Sequence, residues 1–193
     1  MRIHDDRYTR ERLRFHVALR FIRLEARTRT IRQWTGLSDD RIRKLYRSYT
    51  QEAASPAPVR HRGKSPQQPA FFIRTARARQ ESAVLASLCR LTGALPPAPA
   101  RRDTAALAMV ADAPGTILPS LQRAQLLCQA YEGYCALVDN PLIGFEHAVF
   151  LLIALCRGEE LVLSVCCDCN ALLVADRWSL SVPRCSVCTA QAV

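Results

Sequence analysis

The residues best spaced for chemistry lie in the stretch VCCDCNALLVADRWSLSVPRCSVC, where Cys166 and Cys169 form one C-x2-C pair and Cys185 and Cys188 form another, with 15 residues between them. Each pair fits a tight turn that aims two thiolates at one ion, and the intervening residues suffice for a hairpin that returns the second pair to the first. Four thiolates complete a tetrahedral shell, so Cys166, Cys169, Cys185 and Cys188 are expected to hold one structural Zn2+ per chain. A closed shell leaves no position for water or substrate, which argues against catalysis by this metal. The segment is too short to build its own core, and ligation would supply folding free energy on the order of 10 kcal/mol. Cys167 is the alternative to Cys166, although Cys167-Asp168-Cys169 would be a cramped bite. Iron–sulfur or redox chemistry is the rival use of the cluster.

The remaining cysteines, Cys89, Cys128, Cys135 and Cys156, sit among Leu, Val and Ala in helical patterns and are expected to pack as small hydrophobes. The four histidines show no ligand spacing, and no nucleophile–base arrangement, glycine-rich phosphate loop or open metal site is visible. The expectation is that the protein is not an enzyme.

Charge points elsewhere. The formal net charge is +10, and it is unevenly placed: residues 1–100 carry 21 Lys and Arg against 8 Asp and Glu, whereas residues 101–193 carry 6 against 9. A basic half gains affinity for polyanions by neutralising phosphates and releasing their counterions, so nucleic acid is the first candidate partner. Lysine occurs only at positions 44 and 64, and the abundance of Arg makes bidentate contacts to phosphate or guanine available. Within this half, TIRQWTGLSDDRIRKLYRSY reads as helix, glycine turn, helix. Gly36 followed six residues later by Ile42 matches helix-turn-helix spacing. Arg32 departs from it, since that position usually carries a small residue. The second helix would present Arg41, Arg43, Lys44 and Arg47 to DNA, and a further basic cluster follows at Arg60, Arg62 and Lys64.

The elements that must position these residues are mostly helical. Leu13, Val17, Phe21, Leu24, Thr28 and Ile31 recur at spacings of three and four, which predicts one helix from about Thr9 to Arg32 with an apolar stripe and a basic face. A second helix starts at Ser38, buried through Ile42, Leu45, Tyr46 and Tyr49, with Asp39 and Asp40 in its positive first turn. Residues 1–50 thus form a basic DNA-binding region and 51–69 a Pro-rich basic linker. Helical patterns at Phe71–Leu91, Asp103–Ala111 and Pro119–Val138, and a last helix started by Asn140-Pro141 and ended at Arg157-Gly158, make 70–158 a helical core and partner-binding domain. Residues 159–193 read as a zinc-ribbon-like β module with strands near Leu161–Val165, Ala171–Ala175 and Trp178–Val182. The fold class is therefore mainly α, with an N-terminal helix-turn-helix-like element and a C-terminal four-cysteine module. The first fifteen residues lack an apolar core and the longest apolar run, AVFLLIALC, is half a membrane span, so a cytoplasmic protein is expected.

LSDDRIRKLYRSY from Leu37, RGKSP from Arg62, the long helical middle and the cysteine cluster resemble, in that order, the FlhC family of flagellar transcription activators. The resemblance covers most of the chain. It implies a mainly helical, zinc-containing subunit that assembles with a small helical partner, FlhD, into a hetero-oligomer, binds upstream of flagellar promoters and recruits RNA polymerase. The family's zinc ligands fall on Cys166, Cys169, Cys185 and Cys188. The sequence stops five residues after Cys188, whereas family members commonly extend further. A stand-alone homodimeric DNA-binding regulator and a cysteine-cluster redox sensor are the competing readings.

Overall fold

The computed structural model describes residues 3–52, 58, 59, 61, 63, 66–96 and 120–191. Seven α-helices and one two-stranded sheet account for most of them. The chain divides into two compact units: residues 1–65 with 119–128, and residues 66–118 with 129–193.

In the first unit, α1 (Ile3–Arg23), α2 (Thr28–Thr35) and α3 (Asp39–Glu52) pack pairwise on one another. Val17, Phe21, Ile22, Ile31, Trp34, Leu37 and Ile42 are buried, with the Phe21 and Trp34 rings 6.1 Å apart. The expected single helix through Arg32 is two. Glu25 adopts φ 59, and the Glu25 and Ala26 N–H groups bond back to the Ile22 and Phe21 carbonyls. No Gly or Pro marks this break in the sequence. A tertiary contact marks it instead: the Tyr46 hydroxyl of α3 donates to the Ala26 carbonyl at 3.0 Å. The turn lets α2 fold back on α1, which a continuous helix could not do.

In the second unit a short 3-10 turn (Pro69–Phe72) leads into α4 (Ala76–Leu91), capped by the Thr75 hydroxyl accepting from Ala78 N. The helix α5 (Leu121–Leu137) begins among residues of the first unit, and its last turns, from Gln129, belong to the second. Then come α6 (Phe145–Arg157), β1 (Leu161–Val165), β2 (Leu172–Asp176) and α7 (Ser186–Gln191). The strands pair antiparallel, Leu161 opposite Asp176 and Val165 opposite Leu172. β2 lies on α4 and β1 on α6. α6 stops where Gly158 turns left-handed at φ 62, the conformation that glycine enters without a Cβ clash.

Three local expectations fail here. The α6 helix starts at Phe145 after Gly144, not at Asn140-Pro141; Asn140 sits at φ 51, and its carbonyl accepts from the Arg77 guanidinium at 2.5 Å. Trp178–Val182 forms no strand: the segment is exposed, and Asp176, Ser179 and Ser181 bond locally instead of offering a third ladder. Cys135 is exposed rather than packed, while Cys89 and Cys128 are buried. Burial pushes the Cys89 thiol up to about 12, consistent with an inert, packed sulfur. The expected helix at Asp103–Ala111 lies outside the described residues.

A polar cluster organises this unit. Glu81, 4% exposed, takes the Arg77 Nε at 2.6 Å on one oxygen and the Leu142 N–H at 2.8 Å and the Tyr134 hydroxyl on the other. Tyr134 in turn accepts from the Ile143 N–H at 3.2 Å. Burial works to raise the Glu81 carboxyl, but these hydrogen bonds together with the Arg77 charge hold it below the usual carboxylate range.

Candidate metal centre and nucleic-acid interface

Two backbone knuckles hold the four cysteines. β1 runs straight into Cys166, whose N–H bonds to the Ala171 carbonyl at 2.8 Å; the Asn170 N–H closes the turn onto the Cys166 carbonyl at 3.0 Å. Asn170 takes φ 61, which brings the chain back into β2 just after Cys169. Asparagine tolerates this left-handed conformation better than most residues. The second pair straddles the start of α7, where Cys185 precedes the first helical residue and Cys188 lies in the first turn.

The sulfurs of Cys166, Cys169, Cys185 and Cys188 all lie within 4.8 Å of one another. Those of Cys169 and Cys185 are 3.6 Å apart. A tetrahedral Zn–S4 shell with bonds of about 2.3 Å has edges of about 3.8 Å, so the four sulfurs need only converge slightly to enclose an ion. Backbone donors surround them: Cys185 N reaches the Cys166 sulfur at 3.3 Å and Cys188 N the Cys185 sulfur at 3.3 Å. N–H groups from Cys169 and Cys185 hold the Cys166 thiol down to about 6, favouring the thiolate that a metal requires. Close packing of thiols does the reverse at Cys188, whose pKa is raised through its hydrogen bonds with Cys185 and Cys169.

Cys167 turns outward. It is exposed, and its sulfur lies 3.3 Å from an Asp168 oxygen. Arg184 pairs with Asp168 at 3.2 Å, tying the two knuckles together on the outside. Cys166, by contrast, is fully buried. The two neighbours face opposite ways, as consecutive residues leaving a strand must.

The candidate nucleic-acid interface lies in the first unit. α2 ends at Gly36, φ 69, whose N–H bonds to the Arg32 carbonyl at 2.8 Å. Leu37 is buried beneath the turn and α3 begins at Asp39. This is the helix, three-residue turn, helix arrangement anticipated by the Gly36–Ile42 spacing. Arg32 does not intrude between the helices; its side chain is exposed and lies 3.7 Å from Asp39.

The four basic residues of α3 are not equivalent. Arg41 is drawn onto α1, where it pairs with Glu11 at 2.7 Å and covers the Phe15 ring at 6.0 Å. Arg43 pairs with Asp40 at 3.0 Å on the exposed face. Lys44 and Arg47 are exposed beside it. Arg60, Arg62 and Lys64 lie outside the described residues. Their neighbours are anchored, however: Glu25 accepts from Val59 N at 3.0 Å and pairs with His61 Nε2 at 3.0 Å, contacts for which no sequence signal exists.

Comparison of the chain with protein-family models and with curated proteins found no match. No helix among the described residues is long and apolar enough to cross a membrane.

Proposed function

We propose that this chain is the DNA-binding subunit of a heteromeric transcription activator of the FlhC kind. In this reading it is a cytoplasmic protein and not an enzyme. It works with an FlhD-like subunit at flagellar promoters to recruit RNA polymerase. The observation that carries the reading is the first unit, in which a glycine-turned helix pair presents Arg43, Lys44 and Arg47 outward and residues 1–65 carry 17 Lys and Arg against 7 Asp and Glu. Such a helix suits the major groove, and its charge suits phosphate.

Two features support the rest. Four cysteines in reach of one ion favour Zn2+, because an all-thiolate tetrahedral set suits that metal and leaves no open catalytic position. The second unit exposes Leu91, Leu137, Trp178 and Val182, all more than half accessible, along a groove between α4 and the strands. Exposed apolar surface of this kind marks a protein interface and supports a partner subunit.

The test is a salt titration of binding to a flagellar promoter duplex and to random duplex. Contacts to 6–10 phosphates would make affinity fall by about 10³–10⁵ between 50 and 200 mM salt. Binding that ignores salt, or no binding with or without an FlhD-like subunit, refutes the proposal.

A further inference from the structure

We infer that Arg43 reads a guanine edge and that Asp40 is the positioning residue that aims it. The inference rests on the DNA-binding reading above and assigns the specificity within it. Three observations converge on this pair. First, the acids of α3's opening turn are each engaged by an arginine, but differently: Asp39 meets Arg32 of α2 at 3.7 Å, a link within the helix pair, whereas Asp40 meets Arg43 of its own helix at 3.0 Å. Second, both members of the second pair project to solvent, with side-chain exposures of 81% for Asp40 and 54% for Arg43. Third, Arg41, the one arginine of that first turn, is held against Glu11 and Phe15 of α1.

The placement matters because the opening residues of the second helix are the ones that reach base edges in a helix-turn-helix complex. A lone carboxylate there would repel phosphate. Paired with Arg43 it is locally neutral, so this spot adds little to the phosphate attraction supplied by Lys44 and Arg47 and their neighbours. What it adds is geometry. The Arg43 Nη1 is held by one Asp40 oxygen, one turn back along the helix, and the side chain loses part of its rotamer freedom before contact. The remaining donors are left for a bidentate contact to guanine O6 and N7, the pairing that the planar fork matches best. An exposed ion pair of this kind adds little to folding stability, so its substitution should leave the fold intact.

The two residues make opposite contributions to overall charge, and that gives the test its sign. A selection from random duplexes with the wild-type chain, as it purifies with or without a bound subunit, should enrich guanine at one position per half-site. Arg43→Ala should then cost about 5- to 150-fold on the selected duplex and lose the preference at that position. Arg43→Lys, which keeps the charge but not the fork, should lose the preference too. Replacing that guanine by 7-deazaguanine, which lacks the N7 acceptor, should weaken the wild type but leave Arg43→Ala unaffected. Asp40→Asn should bind random duplex more tightly, because a negative charge is gone, while preferring guanine less. A merely solvated pair would show the tighter binding with the guanine preference unchanged, and that result overturns the inference, as does equal sensitivity of wild type and Arg43→Ala to 7-deazaguanine. A wild-type chain that binds no duplex at all overturns instead the reading on which the inference rests.

Discussion

Cys185 donates its backbone N–H to the sulfur of Cys166 at 3.3 Å, so the second knuckle is locked to the first through a ligand atom. Loss of that sulfur therefore removes both a thiolate and the acceptor that fixes Cys185. One metal ion per chain is expected by mass spectrometry under non-denaturing conditions. Cys166→Ser should lose it and loosen residues 161–191, while the outward-facing Cys167→Ser should keep it. Equal metal loss from the two variants would contradict the assignment.

Chelation should act on stability in the same way. If ligation supplies folding free energy on the order of 10 kcal/mol to this segment, removing the metal should raise amide exchange in β1, β2 and α7 first. Uniform exchange throughout the second unit, with or without chelator, would show that its helical packing alone suffices.

Glu81 and Tyr134 make a second prediction, on pH. The Glu81 carboxyl is held below its ordinary value near 4.5 in the folded chain, so its contribution is fully present above the unfolded pKa and is lost as pH falls through the folded pKa. Stability should decline on acidification below about 4.5 more steeply in the wild type than in Glu81→Gln. At neutral pH, Tyr134→Phe should cost about 1–3 kcal/mol, because the buried Ile143 N–H loses its acceptor. Urea melts across the pH range measure both; parallel pH profiles for wild type and Glu81→Gln would rule the carboxylate out.

Gly36 supplies a third. At φ 69 a side chain is strained, yet nothing lies within 4 Å of the place a Cβ would occupy. Gly36→Ala should thus cost about 1 kcal/mol of conformational energy without a clash, and Gly36→Asn less. Thermal melts giving a loss for Asn as large as for Ala would point to a different role for the turn.

The exposed apolar groove of the second unit gives the fourth. Trp178 is 74% exposed, whereas Trp34 is buried, so a shift of tryptophan fluorescence to the blue on adding an FlhD-like subunit would report cover over Trp178. Leu91→Glu should weaken that association without unfolding the chain, since Leu91 is already 82% exposed. Unchanged fluorescence during demonstrable complex formation would move the interface elsewhere.

The amino-acid sequence by itself determined the features that local spacing controls. Two C-x2-C pairs dictate two thiol-bearing turns whatever surrounds them, and Gly36 followed by Ile42 dictates a turn and a buried second helix, because both depend on backbone geometry over a few residues. The mainly helical class followed from the three-and-four periodicity of apolar residues. Tertiary structure decided the rest. The break at Glu25 depends on a hydroxyl from Tyr46, and the late start of α6 on Arg77 and Glu81 gripping the 140–142 backbone. The choice between Cys166 and Cys167 depends on which faces the returning knuckle at the end of β1. The ranking of Arg41, Arg43, Lys44 and Arg47 depends on where Glu11 and Phe15 of another helix fall. Each is a contact between residues distant in the chain, and residue type and spacing carry no information about which distant group will arrive to make it.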